Sequence, residues 1–590
     1  MRLPTETVRP RQRTPNREKG QMTIFMVLVL GIFLLGFIGF GVDLTNVFFS
    51  RQKAQGAADA ACQACAMDLL MAAQGTASPA PGYTVGTPFD CSALPGATPC
   101  EYAALNGYSG TGLVANTASN AVNVTFPSTV PGVTLPPSSL APVPFVEVTV
   151  TDRVKTYFAS LLTGSSTQDV GASAVCGLQF ATAPVPIIVL NPTCTHPFEV
   201  SGSATVKIVG GPNRSIQVNS RDQTCAAATQ IGGCSGSGTI DLTQAGPTFS
   251  GSTFGVFGAP ATPPANFLPC GNCRWQSPAS PISDPFALTP APTKPAMEVT
   301  FPGGQPVAYG VNGCPDMSGC RYYERGLYNQ SILVKNETAI FEPGVYYIEP
   351  TSYPPAARSN CGSPGTGCIP NVTGQCAYDF LVESNGVVRM SNQPGDGSGG
   401  VMFYLSGPGS GGNPYGSVGF QGNAGNPGGR TIDPFPTTGM NCDGSSPDPS
   451  LGVPATVDGN VLLGQCTSGG SYSPYQGPGN IRGILFFNDR RNGYDHGQAS
   501  MQGSGGMLLS GTMYFHHCNS TSGDATAGTA CQAPPNGYQG FFQLQGNPGG
   551  GTFVLGNITT DQLVISGNGI VAMQLNSNFV YQILKATMVR

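Results

Sequence analysis

MTIFMVLVLGIFLLGFIGFGV, residues 22–42, carries no charged side chain in 21 positions. At about 1.5 Å of helical rise per residue such a run crosses the roughly 30 Å hydrocarbon layer of a bilayer. A cleavable signal peptide would have a shorter apolar region closed by a small-x-small site, whereas this one runs straight into Asp43, Leu44 and Thr45. Before it stand Arg2, Arg9, Arg11, Arg13, Arg17 and Lys19 against Glu6 and Glu18. The positive-inside rule therefore keeps the N-terminus cytoplasmic and sends residues 43–590 outward. The chain reads as four parts: a basic cytoplasmic segment at 1–21, a transmembrane helix at 22–42, a membrane-proximal region at 43–180 and an ectodomain at 181–590.

The composition fits a life outside the cytoplasm. Charged residues make up 10% of the 590, against roughly 25% in ordinary soluble domains, and 82 Gly and 53 Pro favour turns over helices. A net charge of -5 supplies no basic field for nucleic acid. Nineteen cysteines scattered from Cys62 to Cys531 point to an oxidising compartment, and an odd number cannot all pair within one chain. A lipid anchor at Cys62 is disfavoured by Asp59, which stands where a lipobox needs an aliphatic residue.

Beyond the membrane, Val47, Phe48, Ala54, Ala58, Ala61, Cys65, Leu69 and Ala72 recur at helical spacing, so the helix continues for several turns. Glu18-Lys19-Gly20-Gln21, the apolar span, Val42-Asp43 and Arg51-x-x-x-Gln55-x-Ala57-Ala58-Asp59-Ala60-Ala61 together resemble the N-terminal domain of TadG-like proteins of the tight-adherence (Flp) pilus system. The similarity continues loosely through Ala103–Tyr108, Val146–Val150 and Thr156–Leu162. It implies a single-pass protein with a pilin-like α/β region at 43–180, associated with Flp/Tad pilus-assembly proteins in the bacterial inner membrane and without catalysis in that region. A processed prepilin needs Glu five positions after the cleavage glycine, but Phe25 stands there, which favours an accessory protein over a polymerised pilin. Strings such as Asp316-Met317-Ser318-Gly319-Cys320 and Asp443-Gly444-Ser445-Ser446-Pro447 miss the second serine of a von Willebrand A metal site.

After Ala183-Pro184-Val185-Pro186 the grammar is that of an all-β protein. Short apolar runs such as Val206–Val209, Val401–Leu405, Ile484–Phe487, Met507–Leu509 and Leu563–Ile565 are cut by Gly or Asn corners, as in Leu555-Gly556-Asn557. Recurrence of one strand and one corner every ten to twenty residues suits a β-solenoid, with β-sandwich domains as the alternative. The Gly-, Pro- and Ser-rich stretches 259–296 and 406–480 read as long exposed loops.

No constellation of residues predicts catalysis, a cofactor or a metal. Cys270-Gly271-Asn272-Cys273 has the spacing of a zinc knuckle to which Cys314 and Cys320 would add two thiolates, but outside the cytoplasm these cysteines, with Cys361 and Cys368, are better read as disulfide candidates. Cys62 and Cys65 share a helix face and suit packing or pairing rather than redox chemistry. His516 and His517 beside Cys518 alternate across a strand, so both cannot serve one site, and a surface or turn role is expected. Asp489 and Asp495 in Asn488–His496 have carboxylates for acid–base work on a sugar chain, yet read as a solvated loop. The expectation is a non-enzymatic, membrane-anchored accessory or structural protein of Flp/Tad pilus assembly or surface adhesion. The alternative is an anchored β-helix that binds or cleaves surface polysaccharide, whose mark would be carboxylates or basic residues stacked on successive rungs. No such stack is visible in the sequence.

Overall fold

The structure is a computed structural model. It describes residues 19–73, 81–136, 141–182, 185–230, 233–268, 271–282, 284–286, 289, 291–352, 358–361, 374–406, 417–441, 445–464, 483–489, 499–503, 506–516, 540–546, 551–567, 570–575 and 582–589.

Helix α1, Lys19–Ala73, runs without a break from the apolar span into the segment beyond it. The span exposes its apolar side chains all round and is long and apolar enough to cross a membrane. From Ala54 the helix becomes one-sided: Ala54, Ala57, Ala58, Ala61, Cys62, Cys65, Ala66, Leu69 and Leu70 are buried. They pack on a five-stranded antiparallel sheet ordered Phe89–Asp90, Ser119–Thr125, Phe145–Lys155, Thr167–Thr182 and Gln582–Met588. Val122, Val124, Val146, Val148, Val150, Ala172, Ala174, Cys176 and Leu178 alternate along these strands to face the helix. Helix α2, Thr98–Leu105, adds buried Cys100 and Ala103 to the same core.

One strand of this sheet comes from the far end of the chain. Residues 582–588, expected within the 181–590 ectodomain, pair antiparallel with 176–182 at the sheet's outer edge, Leu584 opposite Phe180. Leu584 is buried against α1 because the edge offers an unpaired ladder, and an apolar residue there completes the core. The β-rich remainder thus leaves this antiparallel sheet after Thr182 and returns to it at Gln582.

The rest of the described chain is mostly strand, with no closed barrel among the described residues. Three sheets of ten, nine and six strands carry parallel ladders. From Asn460 to Leu575 the described strands visit them in strict rotation: six-stranded, ten-stranded, nine-stranded, and again. In the ten-stranded sheet the first strand after the antiparallel sheet, Ile187–Val189, lies between Arg214–Val218 and the late strand Ile558–Thr560. The chain therefore starts in the middle of the stack and runs out to Arg274–Gln276. It then crosses to the far edge at Gly326–Tyr328 and winds back to its own starting strand.

Both faces of the ten-stranded sheet are covered at Val401–Leu405 and Ile484–Asn488, which is why Val401–Leu405 and Ile484–Phe487 read as unbroken apolar runs rather than alternations. Inside, Phe341, Phe403, Phe486, Phe515 and Phe542 form a ladder with centroids 5.2, 5.5, 6.3 and 4.7 Å apart. Outside, Tyr347, Tyr404, Phe487 and Tyr514 form a second ladder at 4.8, 5.5 and 5.1 Å, covered by Ile282 and Phe286. Segment 259–296, expected as an exposed loop, is thus partly a cover whose apolar residues find a sheet face to bury. In 406–480, Ser417–Phe420 and Asn460–Leu463 are likewise strands and Phe435–Pro436 pairs with Thr456–Val457. Corners demand glycine where strands stack: at Gly556, φ +156°, a Cβ would come within 2.2 Å of the Gly511 carbonyl oxygen.

Candidate functional site

The membrane-proximal turns of α1 hold the residues that carried the family resemblance, and they divide into two sets. Ala57, Ala58 and Ala61 are fully buried, because only small side chains let a helix lie this close to a sheet. Gln55 is half-buried and donates from Nε2 to Asp59 Oδ1 at 2.7 Å and to the Ser173 carbonyl at 3.1 Å, tying the helix to the fourth strand. Arg51, Gln52, Lys53, Gly56 and Gln63 face outward. The motif is therefore a packing face with an exposed stripe on its back.

Covalent bonds fix this arrangement. Cys62 on α1 is bonded to Cys176, 114 residues on, with Cα atoms 5.7 Å apart, and Cys91 is bonded to Cys100. Cys65, the free cysteine among the described residues, is buried with its sulfur 3.1 Å from the Tyr83 hydroxyl. Burial pushes its thiol up to about 12, so it stays protonated and inert. One of the two helix cysteines pairs and the other packs.

Where the span ends, Asp43 is 3% exposed and accepts backbone N–H bonds from Tyr157, Phe158 and Ala159 at 3.1, 2.7 and 2.6 Å. These donors open the short helix α3, Ala159–Thr163, on the hairpin between the third and fourth strands. Phe158 lies against Gly39, where a Cβ would come within 2.4 Å of the ring. A second long-range contact, Asn46 Nδ2 to the Lys155 carbonyl at 3.3 Å, closes the same joint.

Of the candidate disulfide residues, Cys314 and Cys320 are bonded to each other with Cα atoms 5.7 Å apart, so neither is a free thiolate for zinc. Cys273 is disulfide-bonded. Cys270 and Cys368 lie outside the described residues, and Cys361 is described only as part of the strand Arg358–Cys361. The described chain adds Cys225–Cys234. Among the described residues no group of three His, Cys, Asp or Glu side chains is placed to hold a metal.

The β-rich remainder brings together polar residues that the sequence reading kept apart. Ser406, Asp489, His516 and Asp561 each follow the last residue of a strand, Leu405, Asn488, Phe515 and Thr560, on four neighbouring strands of the ten-stranded sheet. All four are at most 2% exposed. Ser406 Oγ donates to Asp489 Oδ2 at 3.4 Å. His516 Nδ1 lies 2.5 Å from Asp561 Oδ1, and the Gly540 N–H donates to Asp561 Oδ2 at 2.8 Å. On its other side His516 Nε2 lies 3.9 Å from Asp284 Oδ2, which accepts from the Tyr514 hydroxyl at 2.7 Å. Asp489, expected in a solvated loop, is buried, and His516, expected in a surface or turn role, is buried just past the end of a strand. His517 and Asp495 lie outside the described residues. The signal that would have found the column is a polar residue closing each apolar run, as in Phe487-Asn488-Asp489 and Phe515-His516. Chemically it holds an imidazole between carboxylates and satisfies polar groups at buried corners.

No curated protein and no solved structure matches the chain. Residues 20–68, the span and the packed turns that follow it, match the family of putative Flp pilus-assembly TadE/G-like proteins, in agreement with the resemblance carried by residues 18–61.

Proposed function

We propose that the chain is a membrane-anchored accessory protein of Flp/Tad pilus assembly, with a cytoplasmic N-terminus and residues 43–590 outside, acting by contact rather than by catalysis. The observation that carries this reading is the match over residues 20–68, a segment that is folded, disulfide-tied and furnished with an outward stripe at Arg51, Gln52, Lys53, Gly56 and Gln63. The helix-on-sheet packing of α1 supports the pilin-like reading of 43–180, and Phe25 supports a chain that is neither processed nor polymerised. The remaining candidate cysteines, Cys270, Cys361 and Cys368, are read as disulfide partners on the oxidising side.

The ectodomain is read as a β-solenoid. Strict rotation of the strands from Asn460 to Leu575 through three mainly parallel sheets and the in-register ladder Tyr347, Tyr404, Phe487 and Tyr514 support this, whereas a sandwich would bring mainly antiparallel sheets face to face. Both of its ends are attached to the membrane-proximal sheet, so it is presented as a doubly tethered body rather than a trailing tail. Deletion of the gene should sharply reduce Flp-type pili and surface attachment, with the full-length protein restoring both and the purified full chain leaving polysaccharides intact. Normal piliation and attachment in the deletion strain would overturn the reading.

A further inference from the structure

We infer that the hairpin tip Tyr157–Thr163 is a lipid-contacting foot that seats the membrane-proximal domain in the headgroup layer of the bilayer. The inference rests on the anchored reading and names which other part of the domain enters the membrane with the helix. Apolar exposure along α1 does not stop at Val42: Leu44, Phe48 and Phe49 are each more than half exposed. The apolar surface Met22–Phe49 is about 42 Å long at 1.5 Å per residue, which matches hydrocarbon core plus interfacial layers rather than the core alone.

A carboxylate at position 43 inside that length would be costly in such a medium unless its charge were met. Its three backbone donors all come from the hairpin tip, so the tip is what makes Asp43 tolerable there. Thr45 turns its hydroxyl inward to the Gly41 carbonyl at 2.8 Å, and Asn46 bonds the hairpin. Polar Thr45, Asn46, Lys155 and Thr163 are also exposed around the joint, but its large exposed side chains are aromatic: Tyr157 is 66% and Phe158 44% exposed, level with the last turn of the span through the Phe158–Gly39 contact. Aromatic side chains at this level are the side chains that partition into the membrane–water interface. Continuity with the span at Gly39 is the argument for lipid, rather than a protein partner, as the occupant.

The test is Trp fluorescence of the full chain reconstituted in phosphatidylethanolamine–phosphatidylglycerol vesicles with or without brominated acyl chains. In a Trp275→Phe background, which removes the single native Trp, probes are placed by Tyr157→Trp, Phe49→Trp and, in the span, Phe33→Trp. If Trp275→Phe does not fold, the same probes are read as differences against the native chain. Shallow bromines should lower the emission of Trp at 157 and at 49 at least two-fold, and deep bromines should act most on Trp at 33. Quenching at 33 with none at 157, whether acrylamide reaches 157 or not, overturns the foot and leaves the anchor standing. No quenching at any position overturns the anchored reading itself.

Discussion

Replacing Leu584 by Ala tests the least expected feature of the fold, the return of the C-terminal strand to the sheet beneath α1. Leu584 is 3% exposed and belongs to the core made by α1 and the antiparallel sheet. Truncating a buried Leu costs about 2–5 kcal/mol in lost transfer and cavity terms. Residues 582–588 form an edge strand with 176–182 as their ladder partner. The loss therefore falls on the membrane-proximal domain, and the opening equilibrium there should rise by roughly 30-fold to several-thousand-fold. Hydrogen exchange of the full chain in detergent micelles reads this directly. Peptides covering 54–70 and 172–182 should exchange faster in Leu584→Ala, while peptides covering 484–488 and 512–515 keep their protection. Lys585→Ala, an exposed change on the same strand, should stay within about 0.5 kcal/mol of the native chain. Unchanged exchange at 54–70 and 172–182, or a change confined to the ectodomain, would refute the pairing.

Removing the Cys62–Cys176 bond by paired serine substitutions should cost about 2–5 kcal/mol, since it closes a loop of more than a hundred residues; thermal melting in detergent measures it, and an unchanged midpoint would count against the bond. Arg389, 1% exposed, donates to the Val457, Gly459 and Asp458 carbonyls, and burial lowers its guanidinium to about 10. Arg389→Met should loosen the 435–457 segment first, seen as new proteolytic cleavage there before the rest of the ectodomain is cut. Glu199 is fully buried with neither carboxylate oxygen hydrogen-bonded, and burial raises it from 4.5 to about 8. Its folded state therefore holds a proton that the unfolded chain gives up, so stability is full below pH 4.5 and is lost as pH rises through about 8. Glu199→Gln should remove this loss, gaining on the order of 4 kcal/mol over the native chain at pH 9 and little at pH 4.5. A pH-independent difference in denaturation midpoint would contradict the buried carboxyl.

What was legible in the sequence was local. The uncharged run 22–42 and the spacing of Ala54, Ala58, Ala61 and Cys65 announced α1, because a single helix encodes its faces in its own periodicity. Runs such as Ile484–Phe487 and corners such as Leu555-Gly556-Asn557 announced strands and turns for the same reason. What escaped the reading was non-local. Nothing in Gln582–Met588 names Cys176–Thr182 as its partner, and a chain that enters its strand stack in the middle leaves no regular period to count. The Ser406–Asp489–His516–Asp561 column escaped for a related reason: irregular spacing between strands hides equivalent positions until the ladders are in register. Segment 259–296 misled through composition, since its Gly and Pro content masked Ile282 and Phe286, which cover the sheet.

The family segment also changes which residues should be probed for function. Replacing Ala57, Ala58 or Ala61 would unpack α1 and impair any activity, so only the outward stripe separates recognition from folding. In a piliated strain, a photo-crosslinking amino acid at position 52 or 63 should capture Flp/Tad assembly proteins in the membrane, and the unsubstituted chain should capture none. Absence of such adducts at both exposed positions, in cells where the full-length chain is present and folded, would contradict a role in pilus assembly.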